Sequence, residues 1–234
     1  MRLHTIQHVP FEGLGHIRHW AEIKNASFSV SLPFQSVDFP HPDEFDVLVI
    51  MGGPMGVHDH DQHPWILNEK HFIEQALKAG KQVIGVCLGA QMIADVLGGT
   101  VTRNQLPEIG WFPIRWTDEA KAMPMFAGLP ELSTVYHWHF DAFSLPSGAV
   151  RLAYSEATEN QAFLYGDQAL ALQCHLEMEP RVVQSLVSRF PEVLDTTQHY
   201  IQSAEVMLED NARFEQSSHF LYQILNHFVK KGCP

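Results

Sequence analysis

The sequence predicts an α/β fold in which a doubly wound, mostly parallel central sheet carries helices on both faces. Residues 45–51 and 82–86 are short apolar runs, rich in valine and isoleucine, which suit strands buried on both faces. Segments with the apolar spacing of helices lie between such runs. No apolar run approaches the roughly 18 residues of a membrane span, so we expect no membrane association.

The first part of the chain alternates strands with helices. The predicted strands lie at residues 3–9, 27–32, 45–51 and 82–86. The predicted helices lie at residues 17–23, 64–79 and 88–97, and glycines follow the second and third of them. This order is typical of the flavodoxin-like arrangement of doubly wound sheets.

From residue 100 the pattern changes to short strands separated by turn signals, which predicts an additional smaller antiparallel sheet. These strands are expected at residues 101–116, 134–139, 150–155, 161–165 and 169–174. Helices are expected at 182–190 and 195–230, the latter in two pieces around 209–212. We therefore expect one domain over residues 1–190 and a C-terminal helical extension over 191–234. Its apolar positions suit packing on that domain or, alternatively, contact within a homodimer.

Composition restricts the function classes. The 234 residues carry a net charge of −12, which argues against nucleic acid or an anionic membrane as the main partner. Three widely separated cysteines do not form a disulfide framework, and the N-terminus lacks the apolar region of a signal peptide. We expect a cytoplasmic protein.

Cys87 is the first candidate for chemistry. It is the centre of a Gly-x-Cys-x-Gly pattern, residues 85–89, between a predicted strand and a predicted helix. This is the nucleophile elbow pattern with sulfur in place of oxygen, and its glycines permit a sharp, strained turn. The N–H groups at the helix N-terminus would stabilise a thiolate there. The alternative is a small buried hydrophobe.

His175 and Glu177 are the candidates for a base and its partner. They end a predicted strand, and residues two apart on a strand face the same side, so a hydrogen bond between the two side chains is geometrically easy. The carboxylate would orient the ring, whose other nitrogen takes the proton of Cys87. A strand-end histidine beside an unrelated surface glutamate is the alternative.

An oxyanion intermediate would need backbone N–H donors near Cys87. Leu88, which follows the thiol, supplies one donor in an elbow of this kind. The tip of the 45–51 strand carries Gly52 and Gly53, whose backbone has no covering side chain. An ordinary strand-end turn is the alternative for these glycines.

Taken together, these motifs are similar to those of the class I glutamine amidotransferases, which use a Cys-His-Glu triad. The similarity is greatest to stand-alone proteins that resemble the amidotransferase domain of GMP synthase. The motifs are Gly-Gly-Pro at 52–54, Gly-Val-Cys-Leu-Gly-Ala-Gln at 85–91 and Gln-Cys-His-Leu-Glu at 173–177. Further matches lie at 7–13, 51–57, 108–113, 137–141 and 160–163.

The resemblance implies a set of roles. Cys87 would be the nucleophile, His175 the general base and acid, and Glu177 its orienting partner. Backbone N–H groups of Gly53 and Leu88 would form the oxyanion hole. The residues implied in substrate binding are Gln91, Gly52, His139 and Asp141. The chain departs from the usual His-Pro-Glu ending at Leu176, which permits the same spacing.

The implied substrate is glutamine or a γ-glutamyl small molecule, whose amide is hydrolysed through a γ-glutamyl thioester. The ammonia would pass to a separate synthetase subunit, or the enzyme would hydrolyse a γ-glutamyl peptide or amine without an acceptor. This chemistry requires no metal and no organic cofactor, and the polar loop at 58–63 is a weak metal candidate. A cysteine α/β-hydrolase is disfavoured because its acid precedes its histidine. A non-catalytic regulatory or binding subunit is the remaining alternative.

Overall fold

The computed structural model describes residues 1–229. Five strands form the parallel part of its sheet. These strands are β1 (Arg2–Ile6), β2 (Ser27–Ser31), β3 (Val47–Ile50), β4 (Gln82–Val86) and β9 (Ala169–Leu172). Their order is β2-β1-β3-β4-β9, and each neighbouring pair is parallel. The predicted flavodoxin-like, doubly wound fold is confirmed.

The antiparallel strands join this same sheet. They are β5 (Val101–Trp116), β6 (Leu132–Phe143), β7 (Ala149–Tyr154) and β8 (Ala162–Tyr165). Strand β9 pairs with β4 in parallel along one edge and with β8 in antiparallel along the other. The expected additional sheet is therefore a continuation of one nine-stranded sheet, because β9 offers hydrogen-bonding groups on both edges.

Helices cover both faces because apolar side chains of the strands alternate between them. The helices are α1 (His16–Ile23), α2 (Trp65–Lys78), α3 (Leu88–Val96), α4 (Asp118–Lys121), α5 (Pro180–Arg189), α6 (Ala204–Leu208) and α7 (Ala212–Phe228). Val47 and Val49 pack in a cluster with α1 and α7, whereas Leu48 and Ile50 pack with α2 and α3. None of the helices within residues 1–229 has the length and apolar character needed to cross a bilayer.

The expected helix at 195–230 is wrong in its first part. Residues 200–202 instead run beside β5, where the N–H of Ile109 donates to Tyr200 O and the N–H of Gln202 donates to Ile109 O. The Gln202 amide also exchanges two hydrogen bonds with the backbone of Trp111. Backbone pairing with a free strand edge thus replaces helical hydrogen bonds. The break before α7 lies at the expected 209–212, and Lys230 lies outside the described residues.

The carboxyl ends of β1, β3, β4 and β9 lie side by side along one edge of the sheet. In doubly wound sheets this edge holds the ligand crevice, at the point where the strand order reverses, here between β1 and β3. The segments that follow β3, β4 and β9 contain Cys87, His175 and the predicted oxyanion glycine, whereas His139 and Asp141 lie on β6. The topology therefore brings distant parts of the chain together at one site.

Helix α7 contributes to the cluster that covers one face of the sheet, and Leu225 is fully buried there. We expect Leu225→Ala to lower the free energy of unfolding by about 2 to 5 kcal/mol, because it leaves a cavity between helix and sheet. Urea unfolding of the full chain measures this change. The control is Leu67→Ala on α2, which is 55% exposed and should change stability by less than about 0.5 kcal/mol. Equal effects would contradict the packing of α7 on the domain.

Candidate active site

Cys87 occupies the turn between β4 and α3. Its backbone has φ 52° and ψ −108°, a left-handed conformation that side chains rarely adopt, and its N–H donates to Leu172 O at 2.8 Å. A Cβ at Gly85 would lie 2.5 Å from Gly89 O, and a Cβ at Gly89 would collide with the backbone of Ile50. The flanking glycines therefore allow α3 to start directly above the sheet. The thiol is held at a helix N-terminus, as the elbow pattern predicts.

His175 lies beyond the end of β9, not within it, since the strand ends at Leu172. Its N–H donates to Tyr136 O at 2.8 Å, which holds this segment against β6. The Nδ1–H donates to Glu177 Oε1 at 2.7 Å, so the two side chains meet as their spacing predicts. Both side chains are buried.

The charges around His175 favour its imidazolium form. Burial lowers the pKa of His175, but the Glu177 carboxylate and the nearby Cys87 sulfur raise it well above its ordinary value. The buried Nε2 atom makes no hydrogen bond of ordinary length to another residue within 1–229. Such contacts are commonly long before substrate binds. The free nitrogen can therefore carry a proton to or from a reacting group.

The glycines after β3 lie against Cys87 and His175. A Cβ built on Gly52 would lie 3.5 Å from Cys87 Cβ and 3.6 Å from His175 Cε1. A Cβ built on Gly53 would lie 3.3 Å from Leu88 Cδ2, so the two expected oxyanion donors belong to adjacent segments. Leu88 is the first residue of α3, where N–H groups have no partner within the helix.

A cavity of about 250 Å³ opens above these groups, and its walls include Cys87, His175 and Gly53. Three further predicted residues line it: Gln91, His139 and Asp141. The Gln91 amide donates to Asp141 O at 3.3 Å and to Gln173 Oε1 at 3.1 Å. Sequence reasoning missed Arg103, whose guanidinium lies 3.5 Å from the Asp141 carboxylate at this wall. The pair presents both charges that an α-amino acid group would bind.

Another part of the cavity lining, here called the apolar wall, consists of side chains that have no signal in the sequence. Its side chains come from the segment that follows His175: Met178, Leu186, Phe190 and Val193. The Phe190 ring also packs against the Phe11 ring in a tilted arrangement, with ring centroids 6.1 Å apart. The cavity lining therefore combines Cys87 and His175 with this apolar wall and with a polar wall that includes Arg103 and Asp141.

Glu12 is a second residue that sequence reasoning left without a role. It follows β1, lines the cavity, and has a carboxyl oxygen 2.9 Å from a Cβ built on Gly52. Burial raises the pKa of Glu12, while His175 and His8 oppose the rise. Glu12 follows β1, one of the two strands between which the strand order reverses. This position in the sequence could have identified it as a candidate site residue.

Within residues 1–229, two groups of side chains have the chemistry of metal ligands, and neither of them is at the 58–63 loop. One is His16, His19 and Glu179; the other is Glu108, His137 and His139. The second group is fully buried and already hydrogen-bonded, since Thr158 and Gln161 each donate to Glu108 Oε2 at 2.6 Å. Burial opposes ionisation of Glu108, but the hydrogen bond from His139 and the nearby histidines lower its pKa to about 2. This network supports the 137–141 wall of the cavity from behind.

Comparison with known proteins places these features in a family. The model of the glutamine amidotransferase class-I family matches residues 16–190. The chain is 34% identical over 235 residues to the glutamine amidotransferase-like protein YfeJ of Salmonella typhimurium, with 98% of each covered. It is 27% identical over 205 residues to γ-glutamyl peptidase 4 of Arabidopsis thaliana, covering 85% of this chain and 80% of the relative. The crystal structure of a glutamine amidotransferase from Thermotoga maritima has a TM-score of 0.87 at 31% identity, with 99% of both chains covered. The chain belongs to the class I glutamine amidotransferase family.

Proposed function

We propose that this protein is an amidohydrolase that cleaves γ-glutamyl amides, with Cys87 as its nucleophile. The observation that carries the proposal is that Cys87 and His175 line one cavity, although they follow different strands, and that Glu177 holds the His175 ring by a hydrogen bond. A strained thiol at a helix N-terminus, beside a histidine oriented by a carboxylate, is the arrangement of an activated nucleophile. Membership of the family supports the same reaction class.

The reaction proceeds in two halves. The Cys87 sulfur attacks the side-chain carbonyl carbon of the γ-glutamyl group, and the developing oxyanion accepts hydrogen bonds from the N–H groups of Gly53 and Leu88. His175 gives its proton to the departing nitrogen, leaving a γ-glutamyl thioester. Water then attacks the thioester with His175 as the base, and glutamate is released. Glu177 accepts the hydrogen bond of His175 Nδ1–H and stabilises the imidazolium in both halves.

The two walls of the cavity favour an N-substituted γ-glutamyl amide over free glutamine. The polar wall, with Arg103 and Asp141, suits the α-carboxylate and α-ammonium groups of the glutamyl end. Gln91 and His139 line the same cavity, whereas the predicted Gly52 is not among its lining residues. The apolar wall offers contacts to a substituent on the departing nitrogen, and ammonia would leave these contacts unmade. The similarity to a γ-glutamyl peptidase supports this substrate class. Glutamine hydrolysis for a synthetase partner is the second candidate.

Replacement of the two described cysteines tests the nucleophile. We expect Cys87→Ser to lower turnover of γ-glutamyl amides by roughly 10³-fold or more, because the thiolate is lost. Cys174→Ala is the matched control, since burial raises the pKa of the Cys174 thiol and keeps it protonated. Amine or ammonia release measures both variants. Equal release by Cys87→Ser and the wild type would leave only a binding function.

Replacement of Glu177 by Gln tests the role of its charge. The carboxylate raises the pKa of His175, so its removal lets the imidazolium lose its proton at a lower pH. We expect the alkaline limb of the kcat/KM profile to move to lower pH and kcat to fall roughly 10²- to 10⁴-fold. A fall in kcat with an unmoved alkaline limb would show that Glu177 does not act through His175.

Replacement of Phe190 by Ala tests the proposed substrate class. We expect Phe190→Ala to lower kcat/KM for γ-glutamyl anilides about tenfold, because the aryl group loses apolar contact, and to leave glutamine turnover nearly unchanged. The control is Val187→Ala, which removes a side chain from the same apolar cluster outside the cavity. Faster turnover of glutamine than of any substituted amide by the wild type would favour the synthetase-coupled alternative.

A further inference from the structure

Behind the glycines of the active site lies a buried ion pair that the mechanism has not used. His8 follows β1 and Glu69 lies on α2, and neither side chain is accessible to solvent. His8 Nε2 lies 2.9 and 3.1 Å from the two Glu69 oxygens. The Nδ1–H of His8 donates to Gly52 O at 3.0 Å. The Trp65 ring stacks on the imidazole, with centroids 5.5 Å apart.

The hydrogen bonds define where the protons are. Gly52 O has only lone pairs, so His8 Nδ1 must carry a hydrogen. Nε2 faces both carboxylate oxygens, and this contact is favourable when a proton lies there too. Burial opposes a charged ring, but Glu69 raises the pKa of His8 above its ordinary value. An imidazolium therefore lies directly behind the Gly52 carbonyl.

The geometry of a peptide unit transmits this contact to the cavity. The peptide between Gly52 and Gly53 is planar and trans, so the Gly53 N–H points opposite to the Gly52 carbonyl that His8 holds. Two adjacent glycines give the backbone much conformational freedom, and a flipped peptide would withdraw this donor. The Gly53 N–H makes no hydrogen bond to another residue within 1–229 and is available to a ligand. Hydrogen bonds in a chain also polarise one another, which strengthens the outer donor.

We propose that the His8–Glu69 pair orients and polarises the Gly52–Gly53 peptide, so that the Gly53 N–H stabilises the oxyanion formed at Cys87. The inference rests on the proposed function, because it assigns a role within the same reaction. His8 and Glu69 are positioning residues, since neither touches the substrate. They act on the reacting oxygen by polarising the one peptide unit that lies between them and it. This peptide follows β3, next to the point where the strand order reverses between β1 and β3.

Two alkylating reagents separate this role from a structural one. A chloroketone analogue of glutamine reacts with a thiolate through attack on its carbonyl, which forms an oxyanion, whereas iodoacetamide reacts by direct displacement and forms none. The ratio of the two labelling rates at Cys87, followed by mass spectrometry, therefore measures oxyanion stabilisation. We expect Glu69→Gln and His8→Ala to lower this ratio about 10- to 100-fold. We expect His8→Asn to recover part of it, because its amide still donates to Gly52 O.

The matched control is Lys70→Met: Lys70 follows Glu69 on α2, and its replacement breaks an ion pair with Asp95 on α3. This variant should leave the ratio of the two labelling rates within twofold of the wild-type ratio, even if its free energy of unfolding changes. An unchanged ratio in Glu69→Gln and His8→Ala would overturn the inference, as would a wild-type Cys87 that the chloroketone does not label. Failure of the proposed function has a different signature, in which the ratio falls as expected while the wild type hydrolyses no γ-glutamyl amide.

Discussion

The site depends on one local constraint, the left-handed backbone of Cys87 between β4 and α3. Such a conformation costs on the order of 1 to 3 kcal/mol and persists only where several contacts with the surrounding structure hold it in place. Here Leu172 holds the Cys87 N–H from β9, and close contact between Gly89 and Ile50 fixes the start of α3. If a side chain at residue 89 displaced α3 outward, the thiol would move away from His175 and from the glycines after β3. Packing of the sheet thus maintains the chemistry.

Much of this arrangement could be predicted because it is local. The glycine spacing around Cys87 identifies the elbow, and the spacing of His175 and Glu177 identifies their hydrogen bond, although β9 ends earlier than expected. The inner parallel strands β3 and β9 are recognisable as apolar runs because all of their side chains are buried. In each case the evidence lies within a few consecutive residues.

The features that could not be predicted depend on contacts between distant segments. Nothing in the sequence pairs His8 with Glu69, which are 61 positions apart, or places residues 200–202 beside β5. The sheet is continuous because β9 pairs with a parallel strand on one edge and an antiparallel strand on the other. The apolar sequence of β9 does not indicate the direction of either neighbour. The apolar wall of the cavity depends on how α5 and the residues after it return across the strand ends. The division of the chain at residue 190 remains a prediction.

The placement of residues 200–202 also has a consequence for solubility. Strand β5 pairs with β7 only at Arg115 and Trp116, so its edge near Ile109 would otherwise present unpaired N–H and C=O groups. Exposed strand edges are templates on which another molecule can add a strand, and natural proteins cover them. The C-terminal segment caps this edge with backbone hydrogen bonds of its own. Because these bonds occupy the backbone groups near Ile109, they disfavour addition of a strand from another molecule to this edge.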